Sequence, residues 1–380
     1  MIKMILALIL VMTTLSSCRK DKVQDPSKET SVLYCMPAES EPHEGTWLQW
    51  PHHYQYGIAY RESLDSTWIA MTKELVSGEK VHIIAYNQTE KTRILSLLNS
   101  ANIIDTNITF KIYKTDDVWI RDNGPIYTRD SNENLVIEDW GFNAWGHKTD
   151  DYTGLPVQFA NCNAIPSKIA ADQGRNLVDL NSTMVCEGGS VEIDGRGTLM
   201  ACKSSILNQN RNPGMTQSQA ESIFTKYLGV TNFIWLDGQA GLEITDQHID
   251  GFAKFANETT ILTMSQTNLL DYDVKQSDID KLYAAKNKKG DSYTFLEVPL
   301  TQNDVITTLG TNLGYKGSYV NYYISNDKVL VPNYSDPNDA VANAIIQTLY
   351  PNRKVVGIDV RNLYENGGMI HCVTQQQPKS

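Results

Sequence analysis

The most regular feature of the chain is a recurring alternation of short apolar runs broken by polar turns. Four segments share it: GPIYTRDSNENLVIED from Gly124, GSVEIDGRGTLMAC from Gly189, GFAKFANETTILTM from Gly251 and SYVNYYISNDKVLVPN from Ser318. In each, a short strand pattern enters a turn rich in Asn, Asp or Gly and leaves as a second apolar run, which predicts a β-hairpin. Comparable points in the second strands, Leu135, Leu199, Ile261 and Val329, lie 64, 62 and 68 residues apart. An apolar segment precedes each hairpin: FKIYKT from Phe110, LVDL from Leu177, NFIWLDG from Asn232 and TFLEVPL from Thr294. Apolar residues spaced three and four apart predict helices in SQAESIFTKYL from Ser218 and NDAVANAIIQTLY from Asn338. The implied unit is a strand, a hairpin and a helix.

A fifth unit starts with KVVGIDV from Lys354 and reaches GGMIHCVTQQQP, then ends without a returning strand. The aromatic segment TWLQWP from Thr46 is a strand pattern lacking a partner of its own. Pairing the two closes a ring of five units and removes exposed sheet edges. The expected fold is therefore an α/β class, five-bladed pseudo-symmetric α/β propeller.

The N-terminus reads as a targeting segment. Lys3 precedes the apolar run Ile5–Met12, which is too short to span a bilayer, and Leu15-Ser16-Ser17-Cys18 follows. That tetrapeptide resembles a bacterial lipobox, which predicts a signal peptide over 1–17 and lipidation of Cys18. An ordinary secretory signal with no role for Cys18 is the competing reading. Residues 18–33 then read as a polar tether, and 34–380 as the folded domain. The expected location is exported and membrane-anchored, with the lipid as the only membrane contact.

Composition narrows the function. With 33 Lys+Arg against 44 Asp+Glu the net charge is −11, so a nucleic-acid partner is not expected. Apolar residues at 41% and charged ones at 20% fit a folded chain rather than a disordered one. Cys35, Cys162, Cys186, Cys202 and Cys372 remain beside Cys18, without zinc spacing. Five is odd, so at least one thiol is free unless an intermolecular bond forms.

The residues entering the hairpins are unusual for strands. They are Asp122 in DDVWIRDNGP, Glu187 in CEGGS, His248 and Asp250 in DQHIDG, and Cys372 in GGMIHC. The steps from Asp122 to Glu187 to His248 are 65 and 61 residues, and Cys372 follows after 124, two units on. One level of a closed ring would bring them together at the axis. A thiolate can attack carbon, an imidazole can move protons, and two spare carboxylates suit the fork of a guanidinium. A cationic substrate would itself help to ionise the thiol. A metal site built from His248, Asp250 and Glu187 is the alternative, although the spacing does not demand it. Trp119 reads equally as core, and Arg121 as structural or substrate-binding.

Longer motifs now carry a resemblance. MPAESEPHEGTWLQWP (Met36–Pro51), DDVWIRDNGP (Asp116–Pro125), EGGS (Glu187–Ser190), NQNRNPG (Asn208–Gly214), SYVNYYISNDKVLVP (Ser318–Pro332) and IHCVTQQQP (Ile370–Pro378) resemble the agmatine deiminases. More loosely, they resemble the bacterial peptidylarginine deiminases of the same superfamily. The resemblance implies the pentein fold, no metal or organic cofactor, and a small cationic guanidino substrate. It makes Cys372 the nucleophile, His248 the acid and base, Glu187 its orienting carboxylate, and Asp122 with Asp250 the guanidinium clamp. Trp119 corresponds to a substrate-side aromatic, and Asn321 to a polar residue of the fourth blade. Association with further copies of the chain stays open.

Three departures bear on the substrate. Gly368-Met369 stands where relatives carry Gly-Asn, Gln247 replaces a glycine before His248, and an exported location is unusual for cytosolic polyamine chemistry. Hydrolysis of agmatine to N-carbamoylputrescine leads. Deimination of peptide arginine and an idle surface-binding propeller are the alternatives. DWGFNAWGHKTDD (Asp139–Asp151) holds Ala144, Trp145 and Gly146 where arginines would meet a substrate carboxylate. Its Asp139, Asp150 and Asp151 outnumber Lys148, which favours the ammonium end of agmatine.

Overall fold

The computed structural model describes residues 33–103, 106–149 and 154–380. Cys18, the signal segment, nearly all of the tether, and Asp150 and Asp151 lie outside them.

The hairpin signals become five small sheets. Blade one holds Ile126–Arg129, Leu135–Gly141 and Leu177–Val185; blade two holds Val191–Ile193, Thr198–Cys202 and Asn232–Leu236. Blade three holds Ala253–Asn257, Thr260–Met264 and Thr294–Val298; blade four holds Tyr323–Ile324, Lys328–Asn333 and Lys354–Asp359. The turns close as their side chains dictate. Asp130 accepts from the amides of Asn132 and Asn134, Asp194 from those of Arg196 and Thr198, and Asn257 from that of Thr259.

The fifth blade confirms ring closure. Gln375–Pro378 pairs antiparallel with His43–Gln49, in the register Trp47 to Gln375 and His43 to Pro378. Trp47 Nε1 fastens the seam by donating to Gln377 Oε1 at 3.0 Å. Lys80–Ala85 and Ile108–Ile112 then add in parallel, giving this sheet four strands.

One expectation needs correcting. Each apolar segment ahead of a hairpin belongs to the blade before it, not to the hairpin that follows. Leu177–Val185 pairs in parallel with Leu135–Gly141, Asn232–Leu236 with Thr198–Cys202, and Lys354–Asp359 with Lys328–Asn333. A parallel partner cannot be reached by a tight turn, so the intervening helices Gln217–Leu228 and Asn338–Leu349 serve as crossovers. Lys354 thus completes blade four instead of opening blade five. These helices cover the outer sides, burying Phe224, Ala342 and Ile346 against the strands. Among the described residues no helix is long and apolar enough to cross a membrane.

Candidate active site

Each blade enters its first strand through an irregular turn, and the turns of different blades meet. Blade one contributes the one-turn helix Ile120–Asn123 with Asp122. Blade two contributes Glu187 ahead of Gly188–Ser190, and blade three His248 and Asp250 around Ile249–Gly251. Blade five contributes Cys372 within His371–Val373. Blade four places Asn321, fully buried, just before Tyr323–Ile324. Cys372 alone among these is half-buried. Cys162, Cys186 and Cys202 are also free thiols, but they sit in the core, where burial pushes each thiol up.

Gly189 shows how closely the groups converge. A Cβ built there would lie 2.7 Å from His248 Nδ1, 2.8 Å from Asp122 Oδ1 and 3.1 Å from Asp250 Oδ2. Only a residue without a side chain leaves that space to two carboxylates and an imidazole. The Gly189 amide also donates to Asp122 Oδ1 at 3.1 Å, and Trp145 Nε1 donates to Asp122 Oδ2 at 2.9 Å.

His248 stands between acids. Its Nδ1 is 3.7 Å from Asp122 Oδ1 and its Nε2 3.7 Å from Glu187 Oε2. Burial opposes charge on the ring, but Asp122, Glu187 and Asp250 outweigh it and lift the imidazole to about 9. Glu187 is fully buried and takes both its oxygens to Arg211 Nε, at 2.8 and 3.0 Å. Burial would raise that carboxyl, yet Arg211 and His248 hold it below its usual value. Asp122 goes the other way. Burial, helped by Asp250 and Glu187, pushes it up to about 6 despite His248.

The sulfur of Cys372 lies 3.4 Å from Asn321 Oδ1. Burial, then Asp250 and Asp122, push the thiol well above its ordinary value. A thiol, a carboxyl and an imidazole all shifted upward describe a site short of positive charge. A planar cation between Asp122 and Asp250 would supply it, which would return Asp122 to carboxylate and favour thiolate.

The structure also locates the remaining sequence candidates. Trp119 is buried, with its ring on the face of Gly368, where any Cβ would collide with it. Met369 turns its side chain into the core, while its backbone supports the thiolate form of Cys372. Gln247 follows Asp246 in a left-handed pair, φ 72 and 61°, and its side-chain Nε2 donates to the Asp273 carbonyl at 3.3 Å. Of the three residues of the metal reading, Glu187 is held by Arg211 and Asp250 by His371. Among the described residues no cluster suited to a metal ion occurs.

Residues 139–149 do not play the part expected of them. Asp139 is buried in blade one beside Asn181 and Asp179. Lys148 donates to Asp246 Oδ1 at 2.8 Å. Ala144 is fully buried at φ 54°, so no arginine fits there without rebuilding the turn. What the stretch does supply is Trp145, through its bond to Asp122. Sequence reasoning also missed Arg211, although it lies inside the NQNRNPG motif, and Asp246, which Arg211 Nη1 reaches at 2.6 Å.

A five-bladed ring with a thiol, an imidazole and three carboxylates at its axis defines a guanidino-group-modifying enzyme of the pentein class. The chain belongs to the Porphyromonas-type peptidyl-arginine deiminase family, whose model matches residues 35–378. It is similar to an agmatine deiminase of Pseudomonas aeruginosa, 32% identical over 360 residues, covering 90% of this chain and 95% of that one. Among solved structures it is similar to an agmatine deiminase of Enterococcus faecalis, with a TM-score of 0.78 at 25% identity over 92% of this chain and 98% of that one. An agmatine deiminase of C. jejuni with substrate bound superposes with a TM-score of 0.74 at 26% identity, over 92% and 97%.

Proposed function

We propose that this protein is an agmatine deiminase, converting agmatine and water to N-carbamoylputrescine and ammonia. The observation that carries the reading is the convergence of Asp122, Asp250 and His248 on the space above Gly189, beside Cys372. The guanidinium lies between the two aspartates, and its charge offsets the burial that holds the thiol protonated. As the cation binds, the thiol proton is released to solvent, and the thiolate sulfur adds to the guanidinium carbon. Collapse expels one nitrogen as ammonia, which takes its proton from His248 and leaves a thiouronium on Cys372. The neutral imidazole then accepts a proton from water, whose oxygen adds to the same carbon. Expulsion of sulfur gives the ureido product and restores the thiol. Glu187, fixed by Arg211, keeps His248 basic enough to serve both steps.

Similarity to named agmatine deiminases favours agmatine over arginine-bearing peptides. Purified protein given agmatine, free arginine and a C-terminal-arginine peptide, with ammonia and ureido product measured, tests the reading. The expected order has agmatine first in kcat/KM, and faster citrullination of the peptide would replace it with the peptidyl-arginine reading. The lipobox-like Leu15-Ser16-Ser17-Cys18 further supports an exported protein anchored through lipid on Cys18.

A further inference from the structure

Directly before the nucleophile lies a histidine that the chemistry above does not use. His371 Nδ1 is 2.8 Å from Asp250 Oδ2, and its Nε2 is 2.7 Å from Glu39 Oε2. Both partners are carboxylate oxygens, so the ring bridges the two acids, with Lys254 Nζ also 3.2 Å from Nε2. Glu39 comes from the segment ahead of the first strand, His43–Gln49. Its Oε1 accepts from the Ile324 amide at 2.8 Å, and its Oε2 also from Lys254 Nζ at 3.1 Å. Lys254 is buried and divides its charge with Glu192 at 2.9 Å, while Arg121 Nη2 stands 3.8 Å from Glu39. Three carboxylates, Glu39, Glu192 and Asp250, thus surround His371, Lys254 and Arg121. The His371 main chain is fixed as well. Its amide donates to Asn321 Oδ1 at 3.0 Å, and its carbonyl accepts from Arg121 Nε at 3.2 Å.

We propose that His371 is a positioning residue, which aims the Asp250 carboxylate at the guanidinium and is itself held by Glu39. Asp250 has two oxygens, and the bond from Nδ1 decides which faces the substrate. Without it the carboxylate is free to rotate or to turn back towards Lys254 or Arg121, and the clamp loses one jaw while the nucleophile stays in place. Because Glu39 precedes the ring-closing strand, the segment that seals the propeller also braces its site.

The proposal rests on the agmatine deiminase reading for its kinetic test but not for its chemical one. His371→Gln removes the hydrogen near Nδ1 and keeps one near Nε2, whereas His371→Asn does the reverse. One charge-assisted hydrogen bond to a substrate-binding carboxylate is worth about 10-fold or more in binding. His371→Gln is therefore expected to raise the KM for agmatine about 10-fold with kcat changed less, and His371→Asn to stay within about 3-fold of wild type. The second readout is the alkylation rate of Cys372 by 2-chloroacetamidine, which carries a cation, relative to neutral 2-chloroacetamide. That ratio needs a cation clamp and no particular substrate, so it remains readable if agmatine proves not to be turned over. It should fall about 10-fold in His371→Gln and hold in His371→Asn. An unchanged KM and ratio in His371→Gln overturns the proposal. So does equal loss in both variants, or loss in both that follows a lowered Tm.

Discussion

Arg211 joins two parts of the site that the chain keeps apart, and removing it has a cost that can be worked out. Its guanidinium is fully buried, with Nε on both oxygens of Glu187 at 2.8 and 3.0 Å and Nη1 on Asp246 Oδ2 at 2.6 Å. Arg211→Met fills similar volume but leaves a buried Glu187 with His248 as its nearest cation, and leaves Asp246 to Lys148, Asn208 and the Gly241 amide. Breaking a buried pair from one side costs about 3–5 kcal/mol, a large part of the roughly 5–15 kcal/mol that holds a domain folded. The sign with pH follows from the same groups. Both carboxyls lie below their usual values in the folded protein. Their contribution is therefore present above the unfolded carboxylate range and is lost as pH falls through the folded values. Urea unfolding of wild type and Arg211→Met should differ by about 3–5 kcal/mol at pH 7 and by clearly less near pH 4. Arg211→Lys should fall between them, since one ammonium cannot reproduce the fork. A difference under about 1 kcal/mol at pH 7, or one that does not change with pH, refutes the reasoning.

Further outcomes follow from the charge balance of the site. Alkylation of wild-type Cys372 should be faster with 2-chloroacetamidine than with 2-chloroacetamide by about 10³-fold at pH 7, because a cation near 4 Å at an effective dielectric of about 20 is worth about 4 kcal/mol. Asp250→Asn should remove most of that ratio, as read by mass spectrometry of the labelled peptide. Agmatine binding to Cys372→Ala should release about half a proton at pH 6, as Asp122, at about 6 in the empty site, becomes a carboxylate. Calorimetry in buffers of different ionisation enthalpy measures the release, which should fade above pH 7 as far as Asp122 is concerned. Cys18→Ala should move the protein from the membrane to the soluble exported fraction with unchanged specific activity, checked by fractionation and ammonia release.

The repeat was legible because hairpins are local. Asp130, Asp194 and Asn257 announce their turns within a few residues, and Asp122, Glu187 and His248 recur 65 and 61 residues apart with Cys372 two units further on. Ring closure could be read too, since an aromatic strand at one end and an unreturned strand at the other leave little choice. The allegiance of the third strands could not. LVDL pairs across a crossover, and nothing within it says whether its partner precedes or follows. The site divides along the same line. Residues that carry chemistry, Cys372, His248, Glu187, Asp122 and Asp250, stand out as polar groups at strand entrances. Residues that act by holding those groups have no such signature. Glu39 meets a partner 332 positions away, and Arg211 meets carboxylates 24 and 35 positions away on opposite sides. The expectation that Asp139 faces substrate failed because the strand Leu135–Gly141 is buried on both sides, so alternation gave no guide to which residues face the axis.

The central claim is that the guanidinium carbon of agmatine bonds to the sulfur of Cys372, with loss of ammonia, before it meets water. Acid quenching during steady-state turnover, followed by mass spectrometry of the protein and of its proteolytic peptides, tests this directly. The account predicts a mass increase of agmatine less one ammonia, located on the peptide carrying Cys372 and absent from Cys372→Ala, which should also release no ammonia. Ammonia release that persists in Cys372→Ala, or an adduct found on any other residue, would contradict it.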